Sequence, residues 1–316
     1  MPVNSKLAFV FPGQGSQKIG MLADIASDNP IVLKTFNQAS EVLGYDIWDM
    51  IQNGSQEDIN LTERTQPILL TASVALWRIW ADRQGQQPAV LVGHSLGEWS
   101  ALVCSGVVEF SEAVNLVRLR GAYMQQAVPK GQGAMAAIIG LDDAALELCC
   151  EQAGQGEEVT PVNFNAPGQV VIAGTSAAVE RAIALCKDAG AKRALPLPVS
   201  APFHTKMMKP AADKLALDLA KVNFCAPQIP VVQNVHGQIE NEPQRMRDLM
   251  IEQIYSPVRW VDCVKTLVGM GVEVTVECGP GKVLCGLNKR IEKSLQLLST
   301  DTPESLSEAL KITRAA

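Results

Sequence analysis

Absences narrow this chain before any motif does. Among its 316 residues, no two of the eight cysteines fall at C-x-x-C spacing, so the usual zinc and redox patterns are missing. No apolar run approaches the roughly eighteen residues that span a bilayer. The first apolar stretch, LAFVF (residues 7–11), is broken by Pro12-Gly13 and is too short for a signal-peptide core. Basic residues are not in excess: 27 Lys and Arg against 33 Asp and Glu leave a net charge of −6, which gives no reason to expect a nucleic-acid partner. Repeats and low-complexity tracts are absent, and histidine is scarce, at three copies. We therefore expect a soluble cytoplasmic protein with no membrane partner, whose cysteines behave as small hydrophobes in a reducing compartment. The oligomeric state stays open.

What is present is a regular alternation. LAFVF and AVLV (residues 89–92) are apolar throughout, as strands covered on both faces read. Between them TQPILLTASVALWRIWADRQG reads as a helix, with Ile68, Leu69, Ala72, Leu76, Ile79 and Trp80 at three- and four-residue steps. SEAVNLVRLRGAYMQQAV reads as another, with Ser111 placed to cap it. PVVQNV and VEVTVECGP add strands, and VRWVDCVKTLVGMG a helix. Such alternation predicts an α/β fold with a parallel sheet wrapped by helices. The residues from about Asp301 onward read as peripheral.

The pattern changes after Lys130. GAMAAIIGL reads as a strand, DDAALELCCEQA as a helix, and VTPVNFNAPGQVVIAGT as a hairpin. SAAVERAIALCKDAG is a second helix and KRALPLPVS a closing strand. This β-α-β-β-α-β order is the split βαβ arrangement and predicts an inserted subdomain. The expected division is a core of residues 1–129 and 199–316 around an insert of residues 130–198.

GHSLGEWSALVCSG follows the second strand directly, and Gly93-His94-Ser95-Leu96-Gly97 fits G-x-S-x-G with the required strand before and helix after. A serine on such an elbow projects its hydroxyl at a helix N-terminus, where amides and the helix dipole favour an oxyanion. Ser95 is thus the candidate nucleophile, and it needs a base. His94 should point away through the turn and pack. His236, in the turn NVHGQ, reads as an exposed loop residue. His204, in PVSAPFHTKMM, is the best remaining candidate. An ordinary α/β hydrolase places a carboxylate between serine and histidine, with the histidine near the end. Here 112 residues follow His204, and Asp142, Asp143 and Asp188 fall on helix faces of the insert. None orients the histidine convincingly, which argues against an ordinary hydrolase. A backbone carbonyl could fix the imidazole tautomer instead, leaving a serine–histidine dyad.

Several segments together resemble one family, the malonyl-CoA:acyl-carrier-protein transacylases of fatty-acid synthesis. They are FVFPGQGSQ, GHSLGEWSAL, Arg120-Gly121, GAMAAIIGL, FNAPGQVVIAG, SAPFH and ECGPGKVL, in order along nearly the whole chain. The resemblance implies a hydrolase-like core with a parallel sheet and an inserted ferredoxin-like subdomain. It also implies transfer of malonyl from malonyl-CoA to the phosphopantetheine thiol of acyl carrier protein, by a ping-pong route without metal or redox cofactor. By the same resemblance, Ser95 carries the acyl group, His204 is the base, and the Gln14 and Leu96 amides form the oxyanion hole. The Gln253 main-chain carbonyl orients His204, and Arg120 pairs with the malonyl carboxylate.

The residues alone leave open whether Arg118 or Arg120 turns inward. Two positions apart on one apolar helix, they face differently. A buried guanidinium is costly unless something such as a carboxylate grips it with two hydrogen bonds. Phe203, beside His204, would narrow the pocket and goes with malonyl preference in related acyltransferases. The carrier is typically acidic, so a local basic patch is expected from among Lys192, Arg193, Lys206, Lys209, Lys289 and Arg290.

Overall fold

The structure, a computed structural model, describes residues 2–199 and 201–315; Ser200 of the SAPFH segment lies outside them. Its strands are β1 (Val3–Phe11), β2 (Gln87–Gly93), β3 (Gly133–Ile139), β4 (Val159–Ala166), β5 (Gln169–Thr175), β6 (Arg193–Pro196), β7 (Val231–Val232), β8 (Ile239–Glu240), β9 (Val274–Glu277) and β10 (Gln296–Ser299). They make two sheets, ordered β10-β9-β1-β2-β7-β8 and β4-β5-β3-β6.

The first sheet is parallel from β10 to β7, and only the two-residue β8 pairs antiparallel at its edge. Side chains alternate across a strand. Leu7, Phe9 and Phe11 therefore enter one apolar cluster while Ala8 and Val10 enter another on the opposite face. In β2, Leu91 joins the first cluster and Val90 and Val92 the second. Both faces being covered explains why LAFVF and AVLV show no polar alternation. On the first face lie the helices Thr62–Asp82, Leu96–Cys104 and Phe110–Gln126. There Phe9 meets Trp77 and Trp80 edge-on, at 5.3 and 4.9 Å between ring centres. On the second face lie Trp260–Gly269 and Val283–Ile291.

Two local expectations are corrected. The C-terminal helix Pro303–Ala315 is not peripheral, because Leu306, Ala309 and Leu310 bury a three- and four-residue stripe in the larger cluster. Ser111 is not a cap. Burial of Phe110 draws it into the helix, whose N-cap is Glu109 without a side-chain bond, and Ser111 Oγ accepts from Gln38 Nε2 at 3.2 Å.

The second sheet is antiparallel throughout, with β3 between β5 and β6. Helices Asp143–Gly154 and Ser176–Asp188 join its strands in the β-α-β-β-α-β order of a ferredoxin-like unit and close a small core around Ile138, Cys149 and Ile172. Asp142 caps the first of these helices, accepting from the Ala145 amide at 2.8 Å. Main-chain bonds fasten the unit to the core: Phe164 N–H donates to the Val258 carbonyl and Val258 N–H to the Val162 carbonyl, at 3.0 and 2.8 Å. This seam brings Asn163 and Asn165 to the end of β2. Among the described residues no helix is long and apolar enough to cross a membrane.

Candidate active site

β2 ends at Gly93 and the next helix starts at Leu96, so Ser95 occupies the corner with φ 51° and ψ −107°. That conformation is strained for a residue with a side chain. Glycine is required on both sides. A β-carbon at Gly93 would fall on the backbone of Gly97, and one at Gly97 on the Phe11 carbonyl. Asn234, just beyond β7, staples the corner: its Oδ1 accepts from the Ser95 amide and its Nδ2 donates to the Gly93 carbonyl, both at 2.7 Å.

The Ser95 hydroxyl lies 2.8 Å from His204 Nε2, and His204 Nδ1 lies 2.8 Å from the Gln253 main-chain oxygen. A carbonyl only accepts, so Nδ1 carries the proton and Nε2 is left to accept from the serine. His204 is held at φ 65° in the irregular entry to the 3₁₀ turn Lys206–Met208. Burial first, and then the neighbouring Arg120 charge, lower its pKa to about 3. The imidazole is therefore neutral near pH 7 and able to take a proton.

Neither of the other histidines bonds to Ser95, although His94 borders the cavity around it. His94 Nε2 meets Asn165 Oδ1 at 2.7 Å, and its ring packs 5.4 Å from that of Trp260. His236 is half-buried rather than exposed, because its turn packs Gly237 against Asp262; the ring accepts from the Gln238 amide at 3.1 Å.

Of the two arginines, Arg120 turns inward and is 1% exposed, while Arg118 stays half-buried against Asn115. Arg120 Nη1 donates to Gln66 Oε1 at 2.8 Å. Its Nη2 donates to Gln253 Oε1 at 2.9 Å and to Ser95 Oγ at 3.3 Å. Gln253 thus touches the site twice, through its backbone to His204 and through its amide to Arg120. The same amide donates from Nε2 to the Ser95 carbonyl at 2.9 Å and to Glu98 Oε2 at 2.7 Å. Glu98, which also accepts from the Asn234 amide at 3.1 Å, is fully buried. Burial pushes its carboxyl up to about 8 and lowers Arg120 to about 10, outweighing their mutual attraction in both cases.

Sequence reasoning missed Gln66, Glu98, Asn234 and the side-chain role of Gln253. One signal was available for Glu98, the one acidic or basic residue on its helix and one turn past Ser95. Gln66 was similarly marked by lying among buried apolar neighbours.

Gln14, Leu96, Arg120, Phe203 and His204 all line a cavity of about 130 Å³ around Ser95. It has room for a short acyl group. Leu96 opens its helix, so its amide has no partner within that helix. Gln14 sits in the turn after β1, its side chain 3.5 Å from Thr62 Oγ1. A wider groove of about 430 Å³ adjoins the site at His204, lined by Lys206 and Tyr255 but also by Glu151, Glu157 and Glu158. All six candidate docking cations are exposed. Lys209 is paired with Asp213 at 2.9 Å, and Arg290 reaches Gln169.

Comparison with known proteins agrees with this architecture. The sequence model of the acyl transferase domain matches residues 8–301. A malonyl CoA-acyl carrier protein transacylase of Salmonella typhimurium is 57% identical, over 97% of this chain and 99% of that protein. An acyl carrier protein S-malonyltransferase from Vibrio cholerae superposes with a TM-score of 0.94 at 60% identity, over 96% of this chain and 99% of that one. A malonyl-transacylase in complex with its type II PKS acyl-carrier protein superposes with a TM-score of 0.96 at 53% identity, over 97% of this chain and 99% of that one. With a family model over residues 8–301 and relatives matched at 57% and 60% identity over nearly their whole length, the chain belongs to the malonyl-CoA:acyl-carrier-protein transacylase family of acyl transferases.

Proposed function

We propose that this protein transfers the malonyl group from malonyl-CoA to the phosphopantetheine thiol of acyl carrier protein in the cytoplasm, supplying fatty-acid elongation. The observation that carries the reading is the buried Arg120 guanidinium placed 3.3 Å from a serine that also meets a neutral histidine. A cation removed from water needs an anionic partner, and malonyl brings a carboxylate at the far end of a short acyl group.

In the first half-reaction Ser95 Oγ attacks the thioester carbon while its proton passes to His204 Nε2. The Gln14 and Leu96 amides receive the developing oxyanion. Collapse breaks the carbon–sulfur bond, and His204 returns the proton to the departing coenzyme A thiolate. In the second half-reaction the carrier's thiol gives its proton to His204 and attacks the malonyl-serine ester. Ser95 leaves and regains that proton. The Gln253 carbonyl holds the tautomer through both steps, and neither needs a metal or redox cofactor. Acetyl groups would leave the guanidinium without its partner, a mismatch that discriminates strongly. Lys206, which lines the groove beside His204, is the candidate docking cation for the carrier at that groove.

Intact mass spectrometry within a minute of mixing with malonyl-CoA tests this. A malonyl adduct is expected that a phosphopantetheinyl thiol discharges and water discharges only slowly. Free malonate without an adduct would point to a hydrolase, and an adduct persisting in Ser95→Ala would remove Ser95 from the role.

A further inference from the structure

We infer that Arg120 does more than hold the substrate's carboxylate: it restrains Ser95 until that carboxylate arrives. The inference rests on the malonyl-transfer reading and extends it. Its basis is a count of donors. Nη2 has two N–H groups, and in this structure both are engaged, one by Gln253 Oε1 at 2.9 Å and one by Ser95 Oγ at 3.3 Å. A guanidinium can grip a carboxylate with two bonds end-on, through Nη1 and Nη2, or side-on, through Nε and Nη2. Either grip uses Nη2, so one of its present partners must give way.

Gln253 is the fixed one. Its amide is oriented by donating to Glu98 Oε2 at 2.7 Å and to the Ser95 carbonyl at 2.9 Å, which leaves Oε1 facing Arg120. The longer bond to Ser95 Oγ is the one that breaks. The substrate's carboxylate thereby removes a charged donor that draws electron density from the attacking oxygen. It also neutralises the cation that, after burial, most depresses the basicity of His204. No bond is made or broken covalently in this step; an N–H changes acceptor from hydroxyl to carboxylate. Selection of malonyl therefore acts on the reactivity of the nucleophile as well as on binding, and an acyl group without a carboxylate meets a restrained serine.

Formate separates this from simple clamping. An acetyl group and a formate ion together supply the carbon and oxygen atoms of a malonyl group without the bond between them, so formate can occupy Arg120 while acetyl-CoA presents its thioester. The experiment is single-turnover acetylation of Ser95 in the wild-type protein, read by intact mass, with sodium formate titrated against sodium chloride at matched ionic strength. We expect a saturable acceleration of about tenfold, equivalent to about 1.4 kcal/mol, with no effect of chloride. Loading from malonyl-CoA should instead slow, because formate competes with the substrate's own carboxylate. Arg120→Ala should acetylate without response to formate, and the wild-type titration stands even where that variant folds poorly. Formate-independent acetylation alongside normal malonyl loading overturns the restraint and leaves the transferase intact. Absence of any malonyl adduct overturns the transferase reading and the restraint with it.

Discussion

Replacing Glu98 with glutamine probes how the polar cluster beneath Ser95 is charged. Burial raises this carboxyl from an ordinary 4.5 to about 8, so at neutral pH it is mostly protonated. Two donors, the Asn234 amide and Gln253 Nε2, converge on Oε2 alone, which needs only to accept. The carbonyl oxygen of glutamine can do the same in nearly the same shape. An acid whose pKa is higher in the folded state contributes stability fully below its unfolded pKa and loses it as pH rises through the folded one. Here that window runs from 4.5 to about 8. At about 1.4 kcal/mol per pH unit, the wild type should lose about 2–3 kcal/mol relative to Glu98→Gln between pH 6 and 9. Glu277, pushed by burial to about 7, follows the same course in both proteins and cancels in the difference. Urea denaturation at four pH values within that range measures it. A wild-type-minus-variant stability that stays level would refute the buried, mostly neutral carboxyl. Glu98→Leu supplies the contrast. Without an acceptor the Gln253 amide can turn its Nε2 toward Arg120, and malonyl selectivity over acetyl should fall even where the protein remains folded.

Three further outcomes follow from the same geometry. With His204 held near 3 by burial and then by Arg120, kcat/KM for malonyl loading should stay level from pH 8 down to about 5; a halving near pH 6.5 would show an imidazole of ordinary basicity. Gly97→Ala would drive a β-carbon into the Phe11 carbonyl, so a loss of about 1–3 kcal/mol or more in thermal or urea unfolding is expected, and an unperturbed midpoint would mean the elbow can open. Phe203→Leu, which widens the cavity lining, should raise methylmalonyl over malonyl loading by about tenfold, within the 1–3 kcal/mol worth of a pocket methyl group; an unchanged ratio would show that Phe203 only packs.

The parts of this molecule that could be read from the chain are those whose causes are local. The sharp turn at Ser95 shows itself in five residues, although only the clash at Gly93 arises inside them and the one at Gly97 comes from the Phe11 carbonyl, and a strand buried on both faces shows itself in LAFVF without reference to its neighbours. His204 became legible for a different reason: three histidines allow elimination, and no such scarcity helps with glutamine or glutamate. The arginine pair marks the boundary. Helical spacing alone separates Arg118 from Arg120, but which one turns inward depends on a contact made elsewhere. Gly121 lies so close to the backbone of Thr62 and Glu63 that a β-carbon would collide with it. Its helix therefore settles onto the start of Thr62–Asp82 with the Arg120 face inward, beside Gln66. From there the dependence widens. Gln66, Glu98, Asn234 and Gln253 come from four separate elements, and each is an ordinary polar residue until the others remove it from water. Burial then makes them a polar network around one cation, moving Glu98 up toward its neutral form and Arg120 down, and what the network lacks is a mobile anion. The serine elbow is thus written in one short segment, whereas the inward setting of Arg120, on which the proposed preference for an acyl group bearing a carboxylate rests, is written in packing between residues 66 and 253.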